Sequence, residues 1–180
     1  GVLSCLIFKN FTDSPSQLIP ASLLFVFSPI LLRRIFWHTS LSSHFLILLA
    51  LLFLTGQHKY FKNVRSACIA WGILGALCAS IHIYFLAMCG ILLLCFVVKD
   101  FFIHGRRTLL PLAGYIGVSL FSVWILGGFS SGMDDGAPGL GYYSFNLNGF
   151  FNPMDWSSFF QNAPVYADGQ YEGFAYLGLG

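Results

Sequence analysis

Charged residues are too scarce in this chain to cover the surface of a water-soluble domain. The 180 residues include nine basic and seven acidic side chains, and 57% of the residues are hydrophobic. Only 9% of the residues are charged, whereas soluble domains have about 25%. Because a bilayer accepts apolar side chains and penalises charged ones, this composition predicts an integral membrane protein. It excludes a disordered chain, and the net charge of +2 predicts no nucleic-acid partner.

Apolar stretches of helical length recur along the first 129 residues. A single helix over 67–98 would be about 48 Å long, well beyond the roughly 30 Å hydrocarbon core of a bilayer. We therefore expect a helical hairpin that turns near 79–82. The polar segment 130–174 should form a loop or cap, and 175–180 should begin a further transmembrane helix. We predict an all-α transmembrane helix bundle over 1–129, with spans near 1–8, 18–36, 40–59, 64–81, 83–98 and 109–129.

The positions of Lys and Arg predict which loops share a side of the membrane. With a hairpin over 67–98, seven basic residues fall on one side and only Arg33 and Arg34 on the other. Cytoplasmic loops are enriched in Lys and Arg, so the side with seven is predicted to be cytoplasmic. We expect a multi-pass protein of the cell's inner (cytoplasmic) membrane, with 130–174 as an extracytoplasmic loop. The seven cytoplasmic bases are Lys9, Lys59, Lys62, Arg65, Lys99, Arg106 and Arg107.

The extracytoplasmic segment 130–174 is rich in Gly, Asn and aromatic residues, unlike a disordered linker. Amide and carboxylate groups can bind sugar hydroxyls, while aromatic rings cover the apolar faces of a sugar. This composition suits a glycan, and Asp155 and Gln170 are candidate substrate-binding residues in it. The alternative is a Gly-rich interfacial loop in which Asn and Asp only form turns.

Arg33 and Arg34 end an apolar helix that contains Pro29. Arginines at a helix end can simply reach the lipid headgroups. On the extracytoplasmic side, however, they run against the usual charge bias, and a planar guanidinium suits a phosphate group bidentately. Arg33 is therefore a candidate phosphate ligand, with snorkelling to headgroups as the alternative.

Three histidines and one tyrosine are predicted on the same extracytoplasmic side. His38 and His44 are six positions apart, which is not a metal-ligand spacing on a helix, so no metal site is predicted there. They could bind a polar substrate, or they could only flank a helix start that a nearby serine caps. His82 and Tyr84 occupy the predicted hairpin turn. There, His82 could satisfy free backbone groups or could face the same cavity as His44.

Glu172 lies between two glycines, just before the predicted final helix. Its carboxylate could cap the N-terminus of that helix, where the helix dipole favours negative charge. It could instead act as a base or a metal ligand, which makes it a candidate catalytic residue. Both interpretations stay open, and the sequence assigns no other residue a catalytic role.

Three blocks of sequence carry a family resemblance. Ser28-Pro29 through Arg33 with the following 38–48 forms the first, 81–88 the second, and 151–153 with 169–178 the third. Together they resemble a family of uncharacterised bacterial polytopic membrane proteins related to the GT-C-type glycosyltransferases. The second block departs from that pattern at Ile83, where Pro would be expected.

The resemblance implies a fragment of a larger GT-C-like fold and an integral membrane glycosyltransferase. Such an enzyme sits among membrane lipids and moves a sugar from a polyprenyl-phosphate donor to a glycan or protein acceptor at the outer membrane face. Its catalytic residue usually comes from the first outer loop, which would lie upstream of Gly1. No metal or other cofactor is expected in this segment, although the full-length protein could hold a divalent metal. The competing hypothesis is a transporter or flippase for lipid-linked glycans, which would show internal repeats.

Overall fold

The computed structural model describes residues 1–129, 147–165 and 168–177, and these residues form helices, turns and irregular loops without a strand. The predicted all-α class is confirmed for them. Short 3₁₀ helices lie at Thr39–Ser42, Gly105–Thr108, Leu147–Phe150 and Asp168–Gly173. The α-helices are α1 (Val2–Phe8), α2 (Pro15–Val26), α3 (Pro29–Trp37), α4 (Phe45–Thr55), α5 (Gln57–Tyr60), α6 (Val64–Ile81), α7 (Ile83–His104) and α8 (Leu109–Ile125).

Four helical segments among the described residues are long and apolar enough to cross a membrane. Large hydrophobic side chains such as Leu24, Ile69 and Leu120 are exposed on them. Exposure of this extent would favour aggregation in water, but it suits a surface that faces lipid. The four segments are Pro15–Trp37, Val64–Ile81, Ile83–Phe102 and Gly105–Ile125.

The predicted span at 40–59 corresponds to a shorter apolar segment, Thr39–Thr55. Within it, α4 has 11 residues and ends at Thr55, followed by the C-cap Gly56. At a rise of about 1.5 Å per residue, α4 alone is too short to cross the hydrocarbon core.

The chain divides into two compact units, each considered by itself. The first unit comprises Gly1–Phe25 and Ser43–Ser131, of which the structure describes residues as far as 129. The second comprises Val26–Ser42 and Gly132–Gly180, of which the structure describes 26–42, 147–165 and 168–177. The aromatic residues of 130–146 that suggested a glycan site lie outside the described residues.

The stretch 67–98 belongs to two helices of the first unit, α6 and α7, which meet at His82. This residue is extended (φ −165°, ψ 129°), and its Nδ1 accepts a hydrogen bond of 3.3 Å from the backbone N–H of Tyr84. A single extended residue therefore ends one helix and caps the next without Gly or Pro. The helices fold back on each other, so that the rings of Trp71 in α6 and Phe96 in α7 pack with their centroids 5.5 Å apart.

Trp71 lies at the centre of the first unit. Its side chain is fully buried, and its ring packs edge-on against Phe53 of α4 as well as Phe96. Tyr115 of α8 is the third aromatic neighbour, with a centroid separation of 6.4 Å. One indole thus contacts three other helices of the unit, in the T-shaped geometry that aromatic rings prefer.

Helices α6 and α8 make a close contact through small residues. A Cβ atom at Gly75 would lie 2.5 Å from Ser119 Oγ and 3.1 Å from the backbone oxygen of Tyr115. In lipid, helices associate largely through tight packing, so small residues at such crossings are structurally important.

We expect Gly75→Ala to destabilise the helix packing, because the new methyl group must push α8 away. Overpacking of this kind costs about 1–3 kcal/mol. Gly117→Ala in α8 is the matched control, since a Cβ there meets nothing within 4 Å. The test is the midpoint of thermal unfolding in detergent, followed by size-exclusion chromatography. The packing argument fails if the two variants unfold at the same temperature.

We also expect both ends of the α6–α7 hairpin to face the cytoplasm, as the charge distribution predicts. Cysteines can be introduced by Lys62→Cys, Arg106→Cys and Tyr84→Cys, after the five native cysteines have been replaced by alanine. In intact cells, an impermeant maleimide should label position 84, at the hairpin turn, and spare positions 62 and 106. Labelling at 62 or 106 would contradict the predicted orientation.

Candidate functional site

Helix α3 supplies the basic side chains of the second unit. Its N-cap, Ser28, is extended (ψ 125°), as a residue before proline usually is, and Pro29 occupies the first helical turn. Arg34 and His38 are four positions apart, so both side chains lie on one face at the end of α3.

Glu172 binds both of these side chains. Its Oε2 accepts a hydrogen bond of 3.2 Å from Arg34 Nη1, and its Oε1 lies 2.8 Å from His38 Nε2. Arg34 Nη2 also donates to the backbone oxygen of Glu172 at 3.0 Å. The Arg34 and Glu172 side chains are both 22% exposed, so solvent screens this ion pair only in part. The carboxylate is therefore used to hold the 168–173 turn on α3.

Arg33 has a different environment from its neighbour Arg34. Its Cζ atom lies 4.5 Å from the centroid of the Phe174 ring, which is cation–π geometry. Its Nη1 lies 3.5 Å from the sulfur of Met154, a weak acceptor. None of the described carboxylates lies within 4.0 Å of this guanidinium. Among the described residues, neutral groups thus hold Arg33 in place, and Glu172 acts on its charge only from beyond ion-pair distance.

Asn152 organises the loop that follows the 147–150 turn. Its side chain is fully buried, and its Oδ1 accepts hydrogen bonds from the backbone N–H groups of Met154 (3.3 Å) and Ala163 (3.0 Å). Its Nδ2 donates to the backbone oxygen of Ala163 at 3.3 Å. One buried amide thereby makes three hydrogen bonds, two of which close the loop from 152 to 163.

Asp155 is fixed by a reciprocal pair of hydrogen bonds with Asn162. The Asn162 Nδ2 donates to Asp155 Oδ1 at 2.6 Å, and the Asp155 backbone N–H donates to Asn162 Oδ1 at 2.9 Å. Met154 and Asp155 both have positive φ, at 44° and 70°. Left-handed backbone at two consecutive non-glycine residues is strained, and such strain is concentrated at functional sites.

These elements enclose an open cleft of about 260 Å³ within the second unit. One wall comes from the 152–162 loop and another from the 168–171 turn, while Arg33 contributes a guanidinium. The cleft therefore combines one cation, two carboxylates, amides and a phenol ring. Its lining includes Arg33, Met154, Asp155, Asn162, Asp168 and Tyr171.

The structure brings several of the predicted site residues together. Arg33 and Asp155 line the cleft, and His38 and Glu172 contact each other. Gln170 belongs to the same unit, where it is buried.

The remaining predicted site residues belong to the first unit. His44 precedes α4, and His82 with Tyr84 forms the α6–α7 turn. Of the two roles considered for His82, the structure shows the first: its ring accepts a hydrogen bond from a free backbone N–H and caps α7. Of the predicted helix start at 175–180, residues 175–177 are irregular and 178–180 lie outside the described residues.

Sequence reasoning missed several residues of the site. The four-residue spacing of Arg34 and His38 could have indicated a shared face, but nothing local identifies Glu172 as their partner. Asn152 stands in a Phe-Asn-Pro sequence, yet its burial depends on a loop that closes eleven residues later. Within the described ranges, no group of three or more His, Cys, Asp and Glu side chains could hold a metal ion.

The described residues define a helical membrane protein whose second unit carries a polar cleft lined in part by Arg33. The chain belongs to the family described as Domain of unknown function (DUF6311), whose model matches residues 1–180. No curated protein matches the chain significantly, and no solved structure does.

We expect a double-mutant cycle to detect coupling between Arg34 and Glu172. Arg34→Gln, Glu172→Gln and the double variant should give a coupling free energy of about 1 kcal/mol. Either single substitution already breaks the hydrogen-bonded ion pair, so the double variant should be destabilised by less than the sum of the two. The measurement is the free energy of unfolding in mixed micelles. Arg33→Gln with Glu172→Gln is the control cycle and should show no comparable coupling. Equal coupling in the two cycles would contradict the distinct environments of the two arginines.

Proposed function

We propose that this protein is an integral membrane glycosyltransferase of the GT-C type. In this proposal it transfers a sugar from a polyprenyl-phosphate donor to a glycan or protein acceptor at the outer face of the inner (cytoplasmic) membrane. The observation that supports this most directly is the guanidinium of Arg33 at the edge of a polar cleft, where it forms no ion pair with any described residue.

The contrast between the two adjacent arginines favours an anionic ligand. Glu172 neutralises Arg34, so that side chain is already used within the protein. Arg33 is oriented by Phe174 and Met154 and keeps its charge and most of its donors for another partner. A planar guanidinium can bind two oxygens of one phosphate at once.

The position of Arg33 favours a phosphate that belongs to a lipid. Phe36 and Trp37 follow it by three and four positions on α3, so they lie on the same side of the helix. Their side chains are 78% and 71% exposed. Exposed aromatic residues at the end of an apolar segment are typical of a bilayer interface, where the phosphate of a lipid-linked sugar also lies.

In the proposed reaction, the bond between the sugar C1 and the phosphate oxygen breaks while an acceptor oxygen bonds to C1. Negative charge builds up on the departing polyprenyl phosphate, and the Arg33 guanidinium would stabilise it. Phe174 would keep the guanidinium plane in place for that purpose. The acceptor hydroxyl loses its proton in the same step, and no residue of this chain is assigned as the base.

We expect Arg33→Lys to impair use of the donor, since the charge stays but the bidentate fork is lost. Hydrogen bonds to charged groups contribute about 1.5–3 kcal/mol, so kcat/KM for the donor should fall about ten- to hundredfold. The assay follows transfer of radiolabelled sugar from a short-chain polyprenyl-phosphate donor by the purified protein in proteoliposomes. Arg106→Lys, an exposed arginine of the first unit, is the control.

One result would contradict the role of Arg33, and another would contradict the function itself. If Lys at position 33 supports transfer as well as Arg, then Arg33 only anchors the helix in the headgroup region. If the protein moves a fluorescent lipid-linked glycan across the bilayer without transferring its sugar, the transporter or flippase hypothesis is the better account.

A further inference from the structure

The 260 Å³ cleft is larger than a phosphate requires and smaller than a typical drug-sized pocket, which is about 300–1,000 Å³. A space of this size suits one sugar ring. The surfaces around it are of two kinds, as a sugar requires. Asp155, Asn162 and Asp168 present polar groups, whereas Val165 and the ring of Tyr171 present apolar area.

We propose that this cleft binds the sugar ring of the lipid-linked donor and that it selects a sugar without a carboxylate. This inference rests on the proposed function, because Arg33 is taken to bind the phosphate to which the ring is attached. Asp155 accepts a hydrogen bond from a sugar hydroxyl, and the Tyr171 ring covers an apolar face of the sugar.

Hydrogen bonds fix the Asp155 carboxylate in position before any sugar binds. Asn162 binds its Oδ1 and its backbone N–H, which fixes the carboxylate without neutralising it. None of the described residues donates a hydrogen bond to its Oδ2. A fixed, charged acceptor with one free oxygen binds a hydroxyl without further loss of side-chain freedom. The left-handed backbone at Met154 and Asp155 fits this interpretation, since strain is retained where a side chain must be aimed.

The charges of the cleft supply the selectivity. Once Arg33 is paired with the phosphate, Asp155 and Asp168 are the remaining ionic groups among the described residues of the lining. A sugar acid would place a third carboxylate beside these two and would be repelled. A hexose has only hydroxyl donors to offer, and both carboxylates can accept them.

The test measures binding of three short-chain probes to the full protein in nanodiscs, by microscale thermophoresis. The probes are polyprenyl phosphate, its glucosyl derivative and its glucuronosyl derivative. The variants are Asp155→Asn, Arg33→Lys and Asp13→Asn, which makes the same chemical change at an exposed position of the first unit. The amide introduced by Asp155→Asn can still accept from Asn162, so the loop should stay folded. Equal unfolding temperatures of this variant and wild type would verify this.

We expect Asp155→Asn to weaken binding of the glucosyl probe about tenfold and to leave polyprenyl phosphate unchanged, because only the sugar contact is lost. The same variant should reduce the preference for glucosyl over glucuronosyl. Arg33→Lys should weaken all three probes, and Asp13→Asn none.

The failures of the two proposals are distinguishable. If Asp155→Asn affects the sugar-free probe as much as the glucosyl probe, or affects neither, the sugar site is wrong while the phosphate site can stand. A preference of the wild-type protein for the glucuronosyl probe would also overturn it. If Arg33→Lys leaves polyprenyl phosphate binding unchanged, the phosphate site and the function built on it are both wrong.

Discussion

The contact between Glu172 and Arg34 joins parts of the second unit that are 138 positions apart in the sequence. Closing so long a loop costs conformational entropy, so one weak contact would not hold it. Glu172 makes three contacts at once: its carboxylate binds Arg34 and His38, and its backbone oxygen accepts from Arg34. Because the adjoining residues follow the same turn, this attachment brings Phe174 beside Arg33 and Tyr171 into the cleft wall. The polar chemistry of the site therefore depends on a structural ion pair.

Two neighbouring arginines on one short helix have different surroundings, which fits the proposal that one stabilises the fold and the other binds a ligand. Arg34 donates two hydrogen bonds to Glu172 within the protein. Arg33 has a ring and a thioether as its contacts, and these orient a charge without offsetting it. A partly buried charge without a counter-ion is unfavourable for folding, since removal from water is not compensated. Among the described residues no carboxylate forms an ion pair with Arg33, although Glu172 acts on it from farther away, and this favours the proposed ligand with its own negative charge.

The sequence predicts the helices of this protein better than its site. Long apolar runs and their polar boundaries indicate α6, α7 and α8, because such patterns depend on local composition. The turn at His82 lacks Gly and Pro and was expected only from the excessive length of a single helix. Arg33 could be chosen from its position at a helix end. The pairing of Glu172 with Arg34 could not be predicted, because a contact between residues so far apart in the sequence leaves no local pattern. The same holds for the burial of Asn152 and for the positive φ of Asp155, which loop closure imposes.

The order of chemical groups on the second unit matches the order of groups in a lipid-linked sugar. Phe36 and Trp37 present exposed apolar surface, Arg33 of the same helix presents a cation, and the cleft beyond it presents carboxylates and a phenol ring. A polyprenyl-phosphate sugar has an apolar chain, then an anion, then a ring of hydroxyl groups. Three consecutive matches are more specific than any one of them, because exposed aromatics or a lone arginine occur on many membrane proteins. This agreement favours the proposed lipid-linked sugar over a free phosphate, which would use Arg33 alone. It also favours it over an ordinary headgroup, which would give Asp155 and its hydrogen bonds to Asn162 no role.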